Sequence, residues 1–146
     1  MSHNILYSEK LLDHYRYPRN RGILDNPDFS TQVLNPSCGD SINCSGTIID
    51  QKMSRIRFSG TGCVISQAAA SLLSEQIVHR TIDQLNTLTK DDMLAFVGIS
   101  LGPTRLRCAL LALEALHQGL ITYAQSHENI QRTDQSMDGR TKKLQK

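Results

Sequence analysis

At 146 residues the chain is long enough for one domain with its own core, and its formal charge of +2 is too balanced for a phosphate-neutralising face that would bind nucleic acid. With 39% hydrophobic and 21% charged residues and no Trp, the composition excludes a disordered or fibrous chain, and no apolar run approaches the roughly 18 residues of a membrane helix. The start lacks a basic patch followed by an apolar stretch, so the expectation is a cytoplasmic protein whose four cysteines, Cys38, Cys44, Cys63 and Cys108, are thiols.

In chain order, Ile5, Leu6, Leu11, Leu12 and Tyr15 recur near helical spacing and predict a helix over about residues 4–14, closed by Tyr17-Pro-Arg-Asn-Arg-Gly22. Asp25-Asn-Pro-Asp28 and Asn35-Pro-Ser-Cys-Gly-Asp40 are turn sequences, which places Cys38 and Asp40 on a loop. Alternation of Ile42, Cys44, Gly46 and Ile48 with polar neighbours predicts a half-buried strand over residues 41–50, and residues 55–59 repeat the pattern. The short link between them predicts an antiparallel hairpin.

Gly60-Thr-Gly-Cys63 is a turn, and Val64-Ile65 reads equally as a third strand or a helix start. Ala69, Leu72, Leu73, Gln76 and Ile77 form a helical stripe over residues 66–79 with Ser66 as N-cap. A short helix over 81–85 and another over 89–97, led by a Thr89 cap, follow. Pro103 opens a long helix to about Ala124, with Leu106, Leu110, Leu113, Leu116 and Leu120 or Ile121 as its buried face. Cys108 lies far round from that stripe and reads as something other than simple core. Residues 1–124 are thus expected to form the domain and residues 125–146 a polar, flexible tail.

Cys38 and Cys63 occupy Gly-flanked loops that leave the sulfur unpacked, and Cys108 sits near a helix N-terminus, where the macrodipole favours thiolate. Asp40 adds an oxygen, although it reads also as a turn residue bonded to its own backbone. Three sulfurs and one carboxylate suit tetrahedral zinc, and the same set suits an iron-sulfur cluster; spacing does not choose between them. Cys44, on the apolar face of a strand, reads as a core thiol. His14 reads as a packing or helix-end residue, and His79, His117 and His127 as solvated helix positions.

Asn35-Pro-Ser-Cys-Gly-Asp40, Gly60-Thr-Gly-Cys-Val-Ile-Ser66 and Pro103-Thr-Arg-Leu-Arg-Cys-Ala109 resemble, in order and separation, the three cysteine motifs of the IscU and NifU N-terminal family of iron-sulfur scaffold proteins. Asp13-His-Tyr-Arg-Tyr-Pro-Arg-Asn-Arg-Gly22 is similar to that family's opening segment. Within the family, Pro103-Thr-Arg-Leu-Arg-Cys-Ala109 resembles the SufU branch: Arg107 stands where IscU proteins carry His, and Leu101-Gly-Pro-Thr-Arg105 replaces their Leu-Pro-Pro-Val-Lys. The stretch from Cys63 to Cys108 lacks the SufU insertion and is closer to IscU in length.

The resemblance implies an α+β fold, a small antiparallel β-sheet of about three strands with helices packed on one face, IscU-like. For SufU it implies zinc held by Cys38, Asp40, Cys63 and Cys108, with Cys38 as the catalytic residue that accepts persulfide sulfur from a SufS-like cysteine desulfurase. Arg105, which matches the SufU motif, would dock an acidic group of that partner, and downstream iron-sulfur acceptor or scaffold proteins would receive the sulfur. The alternative is an IscU-type scaffold on which a transient [2Fe-2S] cluster is assembled and passed to apo-proteins.

Overall fold

A computed structural model of the chain describes the backbone of residues 2–36 and 39–145 and the side chains of residues 9–36 and 39–128. In order these form α1 (Ser2–Arg16), β1 (Phe29–Asn35), β2 (Asp40–Ile49), β3 (Lys52–Thr61), α2 (Val64–Ile77), α3 (Ile82–Asn86), α4 (Lys90–Val97) and α5 (Pro103–Gln145). The three strands make one antiparallel sheet in the order β1-β2-β3, with α2 and α5 packed on it. The expected architecture, helices on one face of a small antiparallel sheet, is the one observed.

Strand pairing explains which face is covered. Phe29, Gly46 and Ile56 lie opposite one another across the three strands, as do Cys44 and Phe58, and all of them are buried. Their polar neighbours, Ser30, Asn43 and Arg57 among them, take the other face, as a period of two requires. The β2–β3 link is the two residues Asp50 and Gln51, with φ of 54° and 64°, the paired left-handed conformation of a tight hairpin turn. The outer edge of β3 is covered by main-chain bonds from two segments. Gly22 N–H donates to the Phe58 carbonyl and Phe58 N–H to Asn20, while Met53 N–H donates to the Arg80 carbonyl.

Four expectations are corrected. Residues 29–35 form β1, where the sequence pattern predicts no strand: the alternation is interrupted because Leu34 points outward, 63% exposed, and the inward positions include polar Thr31 and Asn35. The strand is held instead by Phe29, whose ring packs between Gly46 and Gly119, and by the Thr31 hydroxyl donating to the Ala115 carbonyl at 2.9 Å. Helix α2 starts at Val64, with Cys63 and not Ser66 at the N-cap. On α5 the expected Leu113, Leu116 and Leu120 are buried, but Leu106 and Leu110 are only half-buried and Ile121 is 49% exposed, and the face also takes in Cys108, Ala112, Ala115 and Gly119, whose small size lets the helix approach the sheet closely. Finally, α5 passes Ala124 and runs to Gln145. The stretch lacks proline and contains many good helix formers, and apolar periodicity reports burial, not helicity.

Two other histidine readings also change. His79 lies in the turn after α2 with a φ of 73°, and His117 is half-buried, its Nε2 3.2 Å from the Leu85 carbonyl oxygen.

Candidate metal centre

The β2–β3 hairpin and the entry to α2 bring distant residues to one end of the sheet. Asp40 is the first residue of β2, and Ser41 beside it pairs with Thr61 at the end of β3. The chain then turns through Gly62 into Cys63, so Asp40 and Cys63 become neighbours although 23 residues separate them. Cys108 reaches the same place from the second turn of α5. Asp40, Cys63 and Cys108 each present a ligand atom within 4.8 Å of the other two.

Within this group Asp40 is buried, and its Oδ1 accepts the Cys63 N–H at 3.2 Å while Oδ2 lies 3.6 Å from Cys63 Sγ. A side chain anchored this way is more than a turn residue bonded to its own loop. Cys63 is exposed, in line with its loop position, whereas Cys108 is 3% exposed. Cys108 is expected to be something other than simple core, and it is a member of the cluster; it also faces the core, which its distance round the helix from the leucine stripe did not suggest. Cys38 falls between β1 and β2 in the sequence and lies outside the described residues. Cys44 is fully buried on the apolar face of β2, where burial pushes its thiol far above the ordinary value, and it is no part of the group. Two soft sulfurs and one oxygen fit a zinc ion or an iron-sulfur cluster, with room in the set for a fourth ligand.

Beside the cluster opens a cleft of about 530 Å³ with Cys63 and Cys108 on its wall. Leu11, Leu12, Val64 and Ile65 make it largely apolar, and among the described residues Arg105 is the charge that lines it. Arg105 is exposed, as expected for a residue near a helix start. Sequence reasoning missed Ser66 as a neighbour of the thiol: its hydroxyl donates to the Cys63 carbonyl at 3.1 Å and lies 3.8 Å from Cys63 Sγ. The signal was present in the three-residue spacing from Cys63, which pointed instead to a cap.

His14 is not in the cluster. It is 5% exposed, with Nδ1 2.8 Å from Ser71 Oγ and Nε2 3.4 Å from Glu75 Oε1. Nε2 faces a carboxylate that only accepts, so the neutral ring carries its proton there and takes the Ser71 hydroxyl proton at Nδ1. Ser71 Oγ in turn accepts the Arg19 N–H at 2.8 Å. Burial, then the Arg19 charge, holds the His14 pKa below the ordinary imidazole value, with Glu75 and Asp13 opposing.

A small α+β domain that gathers two thiols and a carboxylate at one end of an antiparallel sheet is the class of protein that the fold and the cluster define. The chain belongs to the NifU-like N terminal domain family, which it matches over residues 6–129. It is 31% identical over 132 residues to the zinc-dependent sulfurtransferase SufU of Bacillus subtilis, an alignment covering 79% of this chain and 89% of the relative. It is 32% identical over 131 residues to the iron-sulfur cluster assembly scaffold protein IscU of Escherichia coli, covering 84% and 97%. A crystal structure of a SUF-system iron-sulfur cluster assembly scaffold protein from Fervidobacterium islandicum shares the fold with a TM-score of 0.66 at 24% identity, covering 80% of this chain and 97% of that one. An N-terminal NifU-like protein from Brucella abortus does so with a TM-score of 0.69 at 16% identity, covering 82% and 94%. The protein is thus a member of the iron-sulfur cluster assembly families. Among the described residues no helix is long and apolar enough to cross a membrane.

Proposed function

We propose that this chain is a SufU-type sulfur acceptor acting in the cytoplasm, in which Cys38 takes persulfide sulfur from a cysteine desulfurase and hands it to downstream iron-sulfur acceptor or scaffold proteins. The observation that carries the reading is the convergence of Asp40, Cys63 and Cys108, drawn from β2, the entry to α2 and α5. Together with Cys38 they make the four-ligand set that zinc prefers; zinc there would keep the sulfurs deprotonated at neutral pH. In the transfer itself, the Cys38 thiolate attacks the outer sulfur of the donor persulfide. An S–S bond forms on Cys38, the donor's S–S bond breaks, and the donor cysteine leaves as thiolate, so no external oxidant or reductant is needed.

Arg105 supports the partner half of the proposal. A cation, Arg105, on the wall of an apolar cleft next to two thiols suits a donor loop that brings an acidic group with its persulfide. The IscU-type reading, a [2Fe-2S] cluster assembled on the same residues and passed on, is favoured by the comparable identity to the scaffold relatives and by the absence of an insertion between Cys63 and Cys108.

The test is the turnover of a cysteine desulfurase at saturating cysteine, with and without the zinc-loaded, iron-free protein. Stimulation that disappears in Cys38→Ser, and that falls in Arg105→Ala while zinc content stays constant, is the expected result. Absent stimulation, with visible absorption growing on the chain when iron and sulfide are supplied, overturns sulfur transfer in favour of the scaffold. Full stimulation by Arg105→Ala removes Arg105 from docking.

A further inference from the structure

The start of α2 is built unlike the starts of α3 and α4. At α3 and α4 the N-cap residues Thr81 and Thr89 accept the N–H three residues on, and Gln84 and Asp92 at that third position accept the N-cap N–H in return. At α2 the N-cap is Cys63, which makes no side-chain capping bond, and its N–H is taken by Asp40 from a different element. Asp40 therefore fills half of a capping box from outside the helix. This leaves Ser66, at the third helical position, without its usual partner, and its side chain turns back to Cys63.

Three facts fix what Ser66 does there. It is completely buried, so no solvent competes for its hydroxyl. Its O–H donates to the Cys63 carbonyl at 3.1 Å. Its oxygen lies 3.8 Å from Cys63 Sγ, a separation at which sulfur hydrogen-bonds. A thiol can donate to that oxygen; a metal-bound thiolate has lost its proton and can only accept, so the Ser66 O–H becomes the donor in reach. Gly62 completes the arrangement, since a Cβ on it would overlap Ser66 Oγ and crowd the Asp40 carboxylate.

We propose that Ser66 is a positioning residue of the metal centre: its one hydroxyl proton, donated to the Cys63 carbonyl in the metal-free chain, turns to the Cys63 sulfur once metal binding has removed the thiol proton, and so orients that sulfur. It acts through Cys63 and is not one of the ligand residues. The inference rests on the metal reading of Asp40, Cys63 and Cys108, and the test keeps the two apart. Zinc affinity of the full chain is measured by competition with a chromogenic chelator, and the sulfur-to-metal charge-transfer band is recorded after cobalt(II) loading. Ser66→Ala is expected to bind zinc about 10–100-fold more weakly, the usual effect of losing an outer-shell partner, with a shifted cobalt band. Its metal-free melting should match the parent's. Unchanged affinity with an unchanged band overturns the role. If Ser66→Ala also lowers the metal-free melt, Ser66→Thr decides: parental zinc affinity supports the hydroxyl, and a loss equal to that of the alanine variant overturns it. A parent chain that takes up neither zinc nor cobalt overturns the metal reading and this role together.

Discussion

A Cβ on Gly62 would stand 2.8 Å from the Asp40 carboxyl carbon and 2.9 Å from its Oδ1, besides overlapping Ser66 Oγ. Two buried polar groups, neither free to withdraw into solvent, therefore share the space a methyl group would need. Gly62→Ala is expected to push Asp40 or Ser66 aside and weaken zinc binding by at least about tenfold. Gly102→Ala, where a Cβ would meet nothing within 4 Å, should leave it unchanged. Chelator competition on the two variants checks this, and equal affinities would refute the steric account. The contrast between the cysteines has the same local origin. Cys63 ends up exposed with a carboxylate and a hydroxyl around its sulfur, whereas Cys44, two positions beyond Ile42 on the covered face of β2, is fully buried in the hydrophobic core, where burial raises its pKa. The strand alternation sufficed to separate them in advance; the placement of Asp40 against Cys63 did not follow from it, because the two are joined by strand pairing.

A buried ring, that of His14, ties helix α1 to α2. His14 bonds Ser71, Ser71 receives the Arg19 N–H, and Leu11, one turn back, is buried while Leu12 lines the cleft beside Cys63. The exposed Arg19–Asp13 pair at 2.6 Å adds little by comparison, being open to solvent. Because burial lowers the His14 pKa, the unfolded chain binds the proton more readily than the folded one. The stability from neutral His14 is complete above the ordinary imidazole value of about 6.5 and is lost as pH falls from there to the lower folded value. Urea unfolding of the metal-free protein should therefore show falling stability from pH 7.5 to 5.5, and His14→Gln should flatten the slope. An identical slope in the variant would show that His14 does not titrate in that window. Elements whose ends are specified locally are readable in advance: Thr89 caps α4 through a box written within four residues, and Thr81, which the sequence reading places inside a helix over 81–85, caps α3 in the same way. For α2 the same rule chose Ser66, and it failed because the competing group, Asp40, comes from β2.

Among the residues whose side chains are described, the packed body draws on Leu11 to Leu120, Tyr123 of α5 packs against it, and Gln125 to Glu128 are exposed. We propose that the cooperative unit is residues 1–124. A chain ending at Ala124 should then melt within a few degrees of the full chain, the shift that roughly 1 kcal/mol produces at this size. A much larger drop in a thermal melt would place the C-terminal part of α5 inside the unit. Much of the molecule follows from patterns within a few residues: the β2–β3 hairpin from alternation and a short link, α4 and the start of α5 from a cap and a proline, and the three cysteine words with their order along the chain. These are short-range consequences of sterics and hydrogen bonding, and no distant partner is needed to express them. Strand β1, the true face of α5, the cap of α2 and the meeting of Asp40, Cys63 and Cys108 depend on what packs against what. A strand with an outward Leu34 becomes stable because Phe29 finds a slot between Gly46 and Gly119, and α5 comes close to β1 at Ala115 and Gly119 while Leu111, Leu113, Leu116 and Leu120 are buried around that contact. Such choices are settled by contacts between residues far apart in sequence, whose energies exist only once the sheet and helices have come together.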